Sequence, residues 1–206
     1  MMFKVLILFF VLNFYTPVFS SSKVNIISKM ELINNLSFKF IQNVNDKNEN
    51  GRCVISYPGK IWCEYNNSNN KTIVSNGKSL VIKTKNKGSY YRYPLSKTPL
   101  ALLLNKRYLL SKISTLKPRD INNKYLNFTI SENNNEINIF FDKKNLFLVG
   151  WQTEDIYQNL TITFISSVKI PRLSCTVAWA VAMKWRGFLS ECSVSCSAKQ
   201  VLTSSK

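Results

Sequence analysis

Leu100 to Leu104 read Leu-Ala-Leu-Leu-Leu, apolar on every side rather than along one stripe. A helix with that surface has to be covered all round. Five residues are far short of the roughly 20 needed to cross a bilayer. Just ahead, Thr98 can cap a helix and Pro99 can take its first position, where a missing N–H does no harm. Tyr90, Tyr91 and Tyr93 suit a pleated strand that Pro94 must end or leave at an edge. Two readings stay open for the apolar run. It is a short buried helix of an ordinary core, or a plug resting inside a concave sheet where a greasy ligand could lie instead.

The flanking chain supplies such a sheet. Ile26, Met30, Ile33 and Leu36 recur every three to four residues, predicting an amphipathic helix over Ser21 to Leu36. Phe38 to Gln42 alternates as a strand, and Asn43 to Asn50 reads as a polar loop. Arg52 to Tyr57 turns at Pro58-Gly59 and returns through Ile61 to Tyr65. Thr72 to Ser75 pairs with Leu80 to Thr84 across Asn76-Gly77, a strong hairpin turn. Asn105 to Ile121 is mixed, with Tyr108-Leu109-Leu110 a possible second helical piece. Tyr125 to Ile130, Glu136 to Phe141, Leu146 to Thr153 and Asn159 to Ser167 are further strands. Short strands at regular spacing predict a mainly β fold built on one curled antiparallel sheet, with the leftover helices on its concave side.

Composition narrows the function. The chain has 206 residues and no histidine, which removes the Ser-His and Cys-His dyads and the usual zinc sites. Its 11 carboxylates are scattered, and there is no phosphate loop, HExxH or GxSxG. An enzyme is not expected, and neither a metal nor a cofactor is implied. The formal charge of +17 comes from lysines spread along the chain, without the dense cluster that nucleic-acid binding would favour. A solvated basic surface, or attraction to anionic lipid or an acidic partner, fits better.

The chain ends carry their own signals. Lys4, the apolar run Val5 to Leu12 and Val18-Phe19-Ser20 read as a signal peptide over residues 1–20, cut after Ser20, and so as export. One domain then covers 21–170. The tail, 171–206, has no Asn, Ile, Tyr or Asp but three cysteines. It reads as atypical, from a changed reading frame or disordered. The strand at Asn159 to Ser167 would then keep an open edge.

Several motifs, in order, resemble one known family. They are Phe38-x-Phe40-x-Gln42, Gly51 seven residues before Pro58, and Pro58-Gly59-Lys60-Ile61 with Glu64-Tyr65. Val74 to Lys78, Thr98-Pro99-Leu100 with Leu103-Leu104, and Phe141-Asp142 follow. Residues 23 to 170 are similar to the periplasmic outer-membrane lipoprotein carrier protein, LolA. The resemblance implies a half-open, incomplete β-barrel with helices as a lid across its mouth. It implies a monomeric periplasmic chaperone of a Gram-negative envelope. Such a protein takes acylated lipoproteins from an inner-membrane lipoprotein-releasing ABC transporter and passes them to an outer-membrane acceptor. The cavity wall is then Phe40, Ile55, Tyr57, Ile61, Tyr65, Tyr91 and Tyr93, and the lid is Pro99, Leu100, Leu103 and Leu104. A sensor of stray lipid or envelope stress, using the same cavity, is the alternative.

Two positions depart from the family. An arginine commonly precedes the turn proline and holds the lid closed, and here that position is Tyr57. A phenol offers one donor where guanidinium offers five, so Arg52 and Arg92 become candidates for the lost role. Cys63 stands where the family has an aromatic residue. Cys53 and Cys63 are equidistant from the Pro58 turn, so an oxidising periplasm would allow a disulfide, the alternative being two free buried thiols.

Overall fold

The computed structural model describes residues 19–66, 71–84, 90–132, 135–154 and 158–171. The tail beyond Pro171 and nearly all of the expected signal peptide lie outside them. Helix α1 is Phe19–Glu31. Six strands follow: β1 Asn35–Val44, β2 Lys47–Ser56, β3 Lys60–Tyr65, β4 Thr72–Asn76, β5 Ser79–Lys83 and β6 Tyr90–Pro94. A 3₁₀ turn, Leu95–Lys97, leads to α2, Leu100–Leu104, and α3, Lys106–Thr115. Then come β7 Arg119–Ile121, β8 Tyr125–Glu132, β9 Asn135–Asp142, β10 Leu148–Glu154 and β11 Leu160–Lys169.

All eleven strands join one sheet in the order β6-β5-β4-β3-β2-β1-β11-β10-β9-β8-β7. Every pairing is antiparallel, and the sheet is not closed into a barrel. Two meanders, β1–β6 and β7–β11, are therefore sewn together at β1 and β11, so that the first and last strands lie at the centre. The open edge expected at Asn159 to Ser167 is not there. β11 pairs with β10 on one side and β1 on the other, and the edges fall on β6 and β7.

Local chemistry explains where other boundaries moved. Leu36, expected to close the first helix, points inward from β1 instead, since 36, 38 and 40 alternate as a strand does. The expected loop over Asn43 to Asn50 is a tight hairpin. Val44 pairs with Lys47, and Asn45 and Asp46 both take positive φ (47° and 60°), which two-residue turns between twisted strands require. The mixed stretch resolves into α3 and the short β7.

Register places the concave face in rows across the strands. One runs Tyr93, Leu80, Ser75, Ile61, Ile55, Leu36. The next runs Tyr91, Ile82, Ile73, Cys63, Cys53, Phe38. Gly51 lies between Tyr65 and Phe40 in a third. A Cβ on Gly51 would sit 2.8 Å from the Phe40 ring and 2.0 Å from the Glu64 carbonyl oxygen. Only glycine lets the Phe40 and Tyr65 rings close over that strand, 4.8 Å apart and edge to face. Buried residues of all three helices (Ile26, Met30, Leu102, Leu103, Leu104, Leu109, Ile113) complete one core with this face.

Candidate functional site

The site is the junction between α2 and the β2–β3 hairpin. Ile55 and Ile61 face each other across that hairpin and are buried, as are Phe40 and Tyr65. In the same core Leu102, Leu103 and Leu104 are buried, while Leu100 is half-buried. Leu102 therefore belongs with the lid leucines, and Leu100 is nearer its outer side. A five-residue helix cannot cover itself, and its own backbone bonds are few. Packing against the concave face is what stabilises it.

Thr98 does not cap this helix. Its hydroxyl donates to the Leu95 carbonyl at 2.8 Å, closing the 3₁₀ turn, and only its backbone carbonyl accepts, from Ala101 N–H at 3.0 Å. Pro99 takes helical angles (φ −59°, ψ −25°) at the helix entry, as its ring allows. At the other end the Gly59 N–H donates to the Leu104 carbonyl at 2.9 Å. The tip of the hairpin thus holds the end of the lid by a main-chain bond. Gly59 has φ +76°, and a Cβ there would come within 2.7 Å of Gly77 Cα. The two adjacent hairpin turns touch, and only glycine fits.

Tyr57 lies beside this bond. Its N–H donates to the Asn34 carbonyl at 2.9 Å. Its hydroxyl is buried and has no hydrogen-bond partner among the described residues, and burial pushes the phenol's pKa upward. The residue does not hold the lid as an arginine would. Neither do the two candidates proposed for that task. Arg52 is exposed on the convex side, where Nε donates to Glu64 at 2.9 Å, and Arg92 is exposed on β6. Alternation sends both away from the lid.

The cation near the lid is Lys106, two residues after α2. Its Nζ donates to the carbonyls of Glu31 and Ile33, both at 2.9 Å, and to Asn34 Oδ1 at 3.2 Å. It lies 5.7 Å from the Tyr57 ring centre. Lys106 joins the end of α1 to the start of α3 and brackets the lid between them. A trace of this was in the sequence: Lys106 and Arg107 open a helix, where the macrodipole disfavours cations. A charge placed against that rule needs a tertiary partner.

Farther along the concave face lies a polar chain. The Tyr65 hydroxyl donates to Gln42 Oε1 at 2.9 Å, and Gln42 Nε2 donates to Thr163 Oγ1 at 2.9 Å. Lys71 stacks 4.0 Å from the Tyr65 ring centre and pairs with Glu49. Burial first, and Glu49 second, push the Tyr65 phenol upward. Tyr93 is half-buried in the row of Leu80. Tyr91 shares the concave face by register, yet at the rim it is 54% exposed, because β6 is an edge strand with no described strand beyond it. It does not line an enclosed wall. Cys53 and Cys63 are directly paired, with Cα atoms 4.1 Å apart, and are joined by a disulfide.

Comparison with known proteins gives this geometry a family. The sequence profile of the outer membrane lipoprotein carrier protein LolA matches residues 31–176. No curated protein matches the chain in sequence. Among solved structures, a LolA superfamily protein of Nitrosomonas europaea is similar at 9% identity, covering 75% of this chain and 96% of its own, with a TM-score of 0.39. An uncharacterized conserved protein of Thermus thermophilus is similar at 7% identity, covering 77% and 91%, with a TM-score of 0.45. With the profile spanning well over half its length, the chain belongs to the LolA family.

Proposed function

We propose that the chain is a periplasmic lipoprotein carrier that takes up acyl chains by displacing α2 from the concave face, and has no chemistry of its own. The observation that supports this most is how lightly α2 is attached. Among the described residues its end is held to the hairpin by one main-chain bond, Gly59 to Leu104, Lys106 fastens the chain two residues beyond it, and its leucines supply the rest.

Magnitudes favour exchange. Burying three leucines is worth roughly 1.5–3 kcal/mol each, so lifting the lid costs roughly 5–9 kcal/mol. An acyl chain of about sixteen carbons gains about 12 kcal/mol on burial at about 0.8 per CH₂. One chain can therefore displace the lid and still bind only moderately, as a carrier that must hand its cargo on requires. On this reading the cargo is acylated lipoprotein, received from an inner-membrane ABC transporter and passed to an outer-membrane acceptor.

Leu103→Glu tests it. A carboxylate cannot lie dry in the core that Leu103 shares with Ile55 and Ile61, so the lid stands open while the sheet stays folded. Release of labelled lipoprotein from spheroplasts, or its onward transfer, should fall, with circular dichroism still showing the native sheet. A folded variant that carries lipoprotein as well as the parent chain would refute the lid role.

A further inference from the structure

The outer face of β1–β6 carries a second pattern that the cavity does not use. Alternation turns Lys39, Arg52, Lys60, Lys83 and Arg92 outward, and all five are exposed. Glu64 is the one carboxylate among the described outward positions of these six strands, and Arg52 pairs with it. Five cations against one carboxylate leave a net charge of +4 on this face.

Between the cations runs an apolar strip. Val54 pairs with Trp62, Trp62 with Val74 and Val74 with Val81, and all four are half-buried. Crossing four strands, three spacings of about 4.8 Å each, the strip is about 14 Å long. Arg92 stands at its end opposite Val81, and Arg52 lies 5.7 Å from the Trp62 ring centre. Tyr90 adds an aromatic ring at the edge, 57% exposed. The outer face of β7–β11 has a different make-up. There Arg119, Asn127, Thr129 and Asn138 hydrogen-bond to one another.

A strip of valines with tryptophan and tyrosine, ringed by long-stemmed cations, matches the headgroup level of a bilayer. Aromatic rings settle there, and lysine and arginine lay their stems on apolar surface while their charges stay wet. The excess of cations selects an anionic leaflet. We propose that the convex face of β1–β6 docks on an anionic membrane surface, through Lys39, Lys60, Lys83 and Arg92 around the Val54–Trp62–Val74–Val81 row. The concave, lid-bearing side then faces away from the lipid. This contact is separate from acyl-chain binding and does not depend on it.

Sedimentation of the full chain with vesicles tests the proposal. Mixed phosphatidylcholine–phosphatidylglycerol vesicles should bind it, and pure phosphatidylcholine should bind far less. Each cation near an anionic surface contributes about fivefold, so Lys39→Gln, Lys83→Gln and Arg92→Gln together should weaken binding about a hundredfold. Arg92→Gln alone should give about fivefold, which keeps the test available if the triple variant folds poorly. Lys117→Gln, Lys124→Gln and Lys144→Gln remove the same charge from exposed sites outside this face and should change little. Equal weakening by both triple variants would reduce the effect to overall charge and overturn the proposal. Equal binding to uncharged vesicles would overturn it too. So would binding to soluble polyglutamate without binding to anionic vesicles, which would assign the face to an acidic protein. Lipoprotein release measured on the same variants reports separately on the cavity.

Discussion

The two halves of this sheet hold their helices by different means. On the β7–β11 side the fastenings are side chains. Lys29 of α1 donates to the Asn145 carbonyl at 2.6 Å and lies 4.8 Å from the Phe147 ring centre. From α3, the Tyr108 hydroxyl and Lys112 both reach Glu132 of β8, and the Tyr108 hydrogen bond is the main cause that lowers the Glu132 pKa. Beneath them Phe128, Ile137, Ile139 and Phe141 are fully enclosed. On the β1–β6 side, α2 is held by main-chain bonds at its approaches. Leu95 N–H donates to Lys78 at 2.8 Å, and Gly59 N–H donates to Leu104 at 2.9 Å. The concave face on this side is mixed in character, combining Ile55 and Ile61 with a disulfide, a serine and tyrosines. One half is built as a permanent core. On the carrier function proposed above, the other is the seat that α2 vacates.

The largest test of that contrast lies in the permanent core. Phe128 packs edge to face on Phe141, centroids 5.9 Å apart. Phe128→Ala should lower unfolding free energy by about 3–5 kcal/mol, from lost burial plus a cavity that a rigid surround cannot close. Urea denaturation measures it. A loss below about 1.5 kcal/mol would mean that this half collapses as readily as the lid seat, and the distinction would fail.

A smaller effect is expected from the disulfide. Cys53 and Cys63 are separated by 10 residues, and closing a loop of that size contributes about 2–3 kcal/mol. Replacing both by alanine should cost about that amount and fall on the β1–β6 half first. Amide exchange should then quicken in β2 and β3 while β8 and β9 stay protected. Uniform acceleration across the sheet would show that the halves melt as one.

Much of this was legible beforehand because the signals were local. Asn76-Gly77 and Pro58-Gly59 demand turns, and the equal spacing of Cys53 and Cys63 from the second turn puts them opposite each other. Leu100 to Leu104 could only be buried. What stayed hidden was non-local or masked by polarity. No short-range signal says that β1 and β11 meet at the centre, since more than a hundred residues separate them. Lys47 to Asn50 read as a loop because that end of β2 carries no apolar alternation, although Asn45-Asp46 is a sound two-residue turn. Leu36 continued the helical spacing of Ile26, Met30 and Ile33 by coincidence while belonging to a strand. Lys106 was missed because its three acceptors lie on a segment more than seventy residues away.

The smallest effect, and the only stabilising one, is expected at Tyr57. Its buried hydroxyl has no partner among the described residues, so Tyr57→Phe should raise stability near neutral pH by about 1 kcal/mol, the penalty of an unsatisfied polar group. The pH dependence has a definite sign. Burial raises the folded-state pKa of this phenol, so above about pH 10 the unfolded chain gives up a proton that the folded chain keeps. The stability this provides is fully present below about pH 10 and is lost as pH climbs beyond it. Tyr57→Phe should therefore flatten part of the alkaline fall. Tyr65, also raised by burial, should keep the remainder. Melting temperatures of both chains from pH 7 to about pH 11 would show it. If Tyr57→Phe instead lowers stability at pH 7, the hydroxyl is bonded in solution, and a side chain besides Lys106 helps hold α2. The two halves would then fasten their helices alike, and the proposed displacement of α2 would need another cause.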